Sequence, residues 1–111
     1  MTATTAPWIV RRYFELASAG NDEAYLELFT KDALVEDEGK EYAGIDAIRA
    51  WRADAPSVDY TVTRVEQAGD QVVATCTITG DFPGSPFAGL QFRFDDFDDA
   101  AVRVLRIRTK E

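Results

Sequence analysis

The stretch Val58-Asp-Tyr-Thr-Val-Thr-Arg-Val-Glu-Gln-Ala68, Gly69-Asp70, Gln71-Val-Val-Ala-Thr-Cys-Thr-Ile-Thr-Gly-Asp-Phe82 decides the fold. β-Branched residues crowd it, and its apolar positions recur with the period of two that a strand requires. Val58, Tyr60, Val62, Arg64 and Glu66 share one face of the first run, with Thr61, Thr63 and Val65 on the other. Gly69-Asp70 interrupts the pattern where a tight hairpin turn belongs. Beyond it, Pro83-Gly-Ser-Pro86 is a loop. Residues 87–94, with Phe87, Leu90, Phe92 and Phe94, form a third strand. Asp95 to Asp99 hold a turn, and 100–109 is a fourth strand. Long strands joined by short turns pair antiparallel.

Upstream of Pro56 the period is helical. Residues 7–19 form a first helix, with Pro7 in its first turn, apolar residues at Ile9, Tyr13, Leu16 and Ala17, and Gly20 as its C-terminal stop. Asn21 caps a second helix carrying Ala24, Tyr25, Leu28 and Phe29 on one side and Lys31 in its last turn. Residues 33–38 read as a short strand, Gly39-Lys40 as a turn, and Glu41-Tyr42 as a return strand. Gly44-Ile45-Asp46 opens a third helix that buries Ala47, Ile48 and Trp51, leaves Arg49 and Arg52 wet, and ends at Pro56. Three N-terminal helices followed by a curved, mixed and mostly antiparallel sheet make an α+β cone with an open mouth. The expected organisation is one domain over residues 1–111, since 111 residues leave no room for two.

Composition narrows the chemistry. The chain has no histidine and one cysteine, so imidazole acid–base work, Ser-His-Asp or Cys-His nucleophiles, an internal disulfide, and Cys-rich or His-based metal sites are excluded. No metal and no cofactor is expected. Twelve basic and twenty acidic residues give a net charge of −8, which repels nucleic acid and anionic membranes. No apolar run reaches the ~18 residues that a membrane span needs. Residues 1–7 lack a basic segment before an apolar one and read as a ragged terminus, so the expected compartment is the cytoplasm. Carboxylates, Tyr, Lys, Arg and Ser/Thr remain as reactive groups.

Two stretches carry a resemblance: Arg12-Tyr-Phe-Glu-Leu16 through Gly20-Asn-Asp-Glu-Ala24, and Lys31-Asp-Ala-Leu-Val-Glu-Asp-Glu-Gly39 followed by Tyr42-Ala-Gly-Ile-Asp-Ala-Ile-Arg-Ala-Trp51. Both are similar to the helix–helix–strand opening of steroid delta-isomerases. The element order resembles the NTF2-like superfamily along essentially the whole chain, within it the SnoaL-like and ketosteroid-isomerase-like proteins. The residue-level match lies mainly in 12–51. The resemblance implies that Tyr13, on the first helix, donates a hydrogen bond to the substrate oxygen, and that Asp37, on the first strand, moves the proton. The two are 24 residues apart, as the family's pair is. It also implies a second acid four residues before the Phe of an Arg-Phe-Asp stretch. Here Arg93-Phe94-Asp95 is that stretch and Leu90 stands at the acid's position, a departure that leaves Tyr13 as the side-chain donor at the oxygen.

The residues themselves bear on Asp37, whereas Tyr13 gains weight only from its pairing with it. If Asp37 points into an apolar cone with Val35, then Glu36 and Glu38 point away. Desolvation raises a carboxylate's pKa and suits it to taking a carbon-bound proton. The opposing reading is a solvated acidic strand end at Glu36-Asp37-Glu38, and for Tyr13 a core tyrosine with a wet hydroxyl. Phe14, Phe29, Trp51, Tyr60, Phe87, Leu90 and Phe92 are the candidate substrate-lining residues, or simply core. Cys76 reads as a small buried hydrophobe. Asp95, Asp96, Asp98 and Asp99 read as a solvated turn rather than a calcium loop. Arg103, Arg106 and Arg108 are expected to pair with acidic neighbours across strands. By resemblance, a homodimer forms through the outer sheet face, which carries Gln91, Arg93, Arg106 and Arg108. Two functions follow. One is proton transfer alpha to the carbonyl of a small apolar steroid- or polyketide-like compound, leading to isomerisation or cyclisation. The other is a non-catalytic small-molecule-binding or dimerisation module, which Leu90 favours.

Overall fold

The computed structural model describes residues 8–19, 22–54, 58–81, 83–98 and 100–109. The helix boundaries assigned above to Pro7, Gly20, Asn21 and Pro56 lie outside the described residues, as does Asp99. The elements are α1 (Trp8–Ala19), α2 (Asp22–Leu26), β1 (Phe29–Asp37), β2 (Lys40–Ala43), α3 (Ile45–Asp54), β3 (Val58–Ala68), β4 (Gln71–Gly80), β5 (Phe87–Phe97) and β6 (Val102–Thr109). The six strands form one sheet in the order β2-β1-β6-β5-β4-β3. β1 and β6 pair in parallel and every other neighbouring pair is antiparallel. α1 packs on β3 and α3 on β1 and β2, so the helices cover one face of a mixed sheet in the expected α+β cone.

The core follows from periodicity. α1 buries Ile9, Val10, Tyr13, Phe14, Leu16 and Ala17, a single stripe, and exposes Arg11, Arg12 and Glu15. β4 alternates strictly, burying Val72, Ala74 and Cys76. These meet Phe94, Phe92 and Leu90 on β5, which meet Leu105, Ile107 and Thr109 on β6. Tyr13 makes edge or tilted ring contacts with Phe14, Phe92 and Phe94 at 5.0–5.9 Å. Such pairs add about 0.5–1.5 kcal/mol each beyond burial. Burial pushes the Cys76 thiol up to about 12, so it stays protonated and inert.

Bulges reset the alternation. Val62 pairs with Cys76 but Arg64 pairs with Thr75, so Thr63 is an extra residue. The face therefore switches: Val65, expected opposite Tyr60, joins it on the inner side, and Arg64 turns out to solvent. On β5, Gly89 is the extra residue between Leu90 and Ala88, with φ +86°. The second helix is shorter than its pattern. It ends at Leu26, and Phe29 and Lys31 belong to β1. β5 runs on to Phe97, so Asp95 and Asp96 are strand residues.

The outer sheet face is charged and self-paired. Arg106 donates from Nε to Glu36 (2.9 Å) and from Nη1 to Asp95 (2.6 Å), and Arg108 reaches Glu36 at 3.2 Å. Arg103 pairs with Asp96 and Asp98. The expected cross-strand ion pairing is therefore present. Arg93 Nε and Asp95 Oδ1 are buried without a partner.

Candidate functional site

The β1–β2 hairpin sets the first functional side chain. Val35 is fully buried against the helices, and Asp37, two residues on, shares its face, while Glu36 turns to the outer face beside Arg106. The turn Glu38-Gly39 follows at once, with φ of +54° and +79°, the left-handed pair that a two-residue hairpin uses. Asp37 thus ends a strand at the rim of the cone. From α3, the Trp51 indole N–H donates to Asp37 Oδ2 at 3.0 Å, with the indole packed against Tyr42 at 6.0 Å. Burial raises the Asp37 pKa. The Trp51 hydrogen bond opposes that rise, and the neighbouring Glu38 charge adds to it.

Tyr13 enters from α1. Its hydroxyl lies 2.8 Å from that of Tyr25, and both rings are buried. Burial holds the Tyr13 phenol well above its ordinary value, and Tyr25 and Tyr60 push it the same way. It is therefore a neutral hydrogen-bond donor or acceptor, not a base.

Tyr13 and Asp37 line one open cavity of about 1120 Å³, together with Trp51, Tyr60, Phe87, Leu90 and Phe92. Val58, Ile78 and Ile107 complete its apolar wall. The volume continues over the strand edge to Glu36, Gln91, Arg93 and Arg108 on the outer face. Two candidates sit elsewhere. Phe14 faces a shallower groove of about 400 Å³ with Val10, Tyr60, Val62 and Val65. Phe29 lies behind the cavity wall in the core, against Tyr13 and Tyr25. Leu90 presents an apolar side chain to the cavity, opposite Cys76 and Thr109.

Arg52 is the residue that sequence reasoning missed. Expected to stay wet, its side chain is 9% exposed and lines the cavity. Its Nη2 donates to the Ala17 carbonyl at 2.8 Å and its Nε to Asp22 at 3.2 Å. The guanidinium lies 4.4 Å from the centre of the Tyr25 ring. Burial raises the Tyr60 phenol and the nearby Arg52 charge pulls it back. A signal was available: Arg49 and Arg52 are one helical turn apart, and Asp22 and Glu23 open α2. The pairs Arg49–Glu23 and Arg52–Asp22 dock α3 on α2.

Among the described residues, no group of three or more His, Cys, Asp or Glu side chains is placed to hold a metal ion. No helix among them is long and apolar enough to cross a membrane. At its inner end the site offers the part-buried Asp37 carboxylate, neutral phenols and the Arg52 guanidinium around an apolar space.

The same geometry has relatives. The family model for the SnoaL-like domain matches residues 10–109, and the chain belongs to this family, within the NTF2-like superfamily. The fold is similar to a candidate polyketide cyclase from Sinorhizobium meliloti, at 33% identity and a TM-score of 0.83 over 93% of this chain and 95% of that one. It is also similar to a protein of ketosteroid-isomerase-like fold from Catenulispora acidiphila in complex with trimethylamine (23% identity, TM-score 0.77, 96% and 88% covered). A third likeness is to the orange carotenoid protein of Anabaena sp. binding canthaxanthin (18% identity, TM-score 0.79), covering 96% of this chain and 36% of that one. The last two likenesses are of fold alone. No curated protein matches the chain.

Proposed function

We propose that the chain is a cofactor-independent isomerase or cyclase that transfers a proton alpha to the carbonyl of a small apolar, steroid- or polyketide-like compound. Asp37 takes the proton from the alpha carbon. The carbon–hydrogen pair moves into a new carbon–carbon double bond, and the carbonyl pair moves onto oxygen. Tyr13 hydrogen-bonds that oxygen as charge develops. Asp37 then returns the proton at another carbon for isomerisation; for cyclisation the enolate carbon instead adds to a second carbonyl of the same molecule, whose π pair moves onto its oxygen and takes the proton back from Asp37. The observation that carries this reading is the Asp37 carboxylate, part-buried in an apolar cavity, raised in pKa and held by Trp51. The similarity to a candidate polyketide cyclase supports the same class. The test is conversion of a β,γ-unsaturated ketosteroid to its conjugated enone, followed by ultraviolet absorbance beside Asp37→Asn. Turnover lost in the variant is the expected result. No turnover, or turnover indifferent to Asp37, refutes isomerisation of that substrate.

One observation favours a second reading, a non-catalytic binding module. Leu90 leaves the cavity without a second acid beside the substrate oxygen. A ligand held unchanged, with no hydrogen exchange at its alpha carbon, would select that reading.

The proposal extends to assembly: residues 1–111 act as one domain in the cytoplasm and pair through the outer sheet face. Gln91, Arg93, Arg106 and Arg108 would carry that interface, as the family resemblance implies. Arg93→Glu should convert a dimer to a monomer in light scattering, and an already monomeric wild type would refute the pairing.

A further inference from the structure

The cavity wall is apolar along β3–β6, yet α3 sets a guanidinium into it. Arg52 is nearly buried, and burying a cation is costly unless its charge is answered. Its carboxylate partner, Asp22, is 54% exposed, so water screens most of that pairing. The remaining contacts, the Ala17 carbonyl and the Tyr25 ring face, are neutral. On the cavity side the cation meets Tyr60 and Tyr13, phenols rather than carboxylates. That pole of the cavity is rich in donors and positive. The carboxylates of the cavity, Asp37 with Glu36 and Glu38, lie together at the end of β1 and its turn, and Asp37 is held by the Trp51 N–H.

From this geometry we infer that the ligand of the cavity is an amphipathic anion: an apolar ring or chain body that ends in a carboxylate or similar ionised oxygen, seated on Arg52 beside Tyr60. Arg52 is then a specificity-determining residue. A planar guanidinium gripping an acceptor-only oxygen group makes a charge-assisted hydrogen bond, about twice as strong as a neutral one. The apolar body lies along Leu90, Phe92 and Ile107, and Asp37 reaches the body rather than the head, because like charges keep the anionic head away from it. The inference deepens the proton-transfer reading and rests on it only in taking the same cavity as the binding site.

The test uses a matched pair of probes, 2-naphthoate and its neutral isostere 2-naphthamide, titrated calorimetrically at pH 7 against the full chain. The wild type should bind the naphthoate about ten-fold more tightly or better, the margin of one charge-assisted hydrogen bond. Arg52→Met should erase that preference while still binding the amide. Asp22→Asn, an exposed change that keeps the hydrogen bond but removes the competing charge, should tighten naphthoate by about two-fold or more and leave the amide unchanged. Should Arg52→Met not fold, the wild-type pair and Asp22→Asn decide. Equal affinities in the wild type, a preference that survives Arg52→Met, or naphthoate affinity unmoved in Asp22→Asn overturns the inference and assigns Arg52 to bracing the helices alone. In the case of equal affinities the cavity stands as a binding site. Binding of neither probe overturns the inference and the cavity reading together.

Discussion

Replacing Trp51 by Phe isolates one interaction at the candidate base. The indole N–H donates to Asp37 Oδ2 at 3.0 Å, and this bond favours the ionised carboxylate. Phe keeps an aromatic ring near Tyr42 and removes only the donor. A hydrogen bond to a charged group contributes about 1.5–3 kcal/mol, and a part-exposed site at the rim takes the lower end. One pKa unit corresponds to about 1.4 kcal/mol. The variant should therefore raise the Asp37 pKa by about one unit above its already raised value. Carbon-13 NMR of the Asp37 carboxyl reads this directly, with or without turnover. If Asp37 is the base, the rising limb of the pH–rate profile should move up by the same amount. A carboxyl that titrates at the wild-type pH, or lower, would refute the reasoning, since burial and Glu38 would then have no opposing donor to lose.

Other outcomes follow from the same contacts. Tyr13→Phe removes one of two buried hydroxyls that satisfy each other at 2.8 Å, so it should cost about 1–3 kcal/mol in urea unfolding with an unchanged slope. Gly89→Ala forces a side chain into the φ +86° bulge of β5 and should destabilise by about 1–2 kcal/mol in the same assay. Asp98 is held down at about 2 by Arg103 first, then by the Ala100 and Ala101 N–H groups. A folded pKa below the unfolded 3.8 means a stabilisation present above that pH and lost as pH falls towards 2. Asp98→Asn should therefore flatten the acid loss of melting temperature between those values. Asp37 has the opposite sign: raised when folded, it disfavours the folded state as pH climbs from 3.8 through its folded value. Asp37→Asn should therefore not lower the melting temperature at pH 7.

The sheet was legible because its signals are local. The period of two within each of β3 and β4, the Gly69-Asp70 turn and the helical stripe of α1 each sit within a dozen residues. What was not legible depends on distant chain. Leu28 and Phe29 continue a helical pattern, yet the Val102 N–H bonds the Leu28 carbonyl at 2.7 Å and β6 draws the segment into the sheet as a parallel partner. Nothing near residue 28 announces residue 102. The Thr63 bulge was hidden for a related reason: alternation along one strand cannot reveal a register shift against its neighbour. In the site, alternation put Asp37 on the same face as Val35 but left open which face turned inward. Its Trp51 donor, and the burial of Arg52 by α1 and α2, needed the packing of three helices. Residue type alone misled there, since an arginine on a helix is ordinarily solvated.

The role proposed for Asp37 is to move a proton at carbon. Hydrogen–deuterium exchange at the alpha carbon of 2-tetralone in deuterium oxide, followed by proton NMR, tests it without requiring the natural substrate. Exchange should run above the buffer rate with the wild-type chain and fall about 100-fold or more in Asp37→Asn, with folding intact. Exchange at equal rates in the two proteins would contradict it.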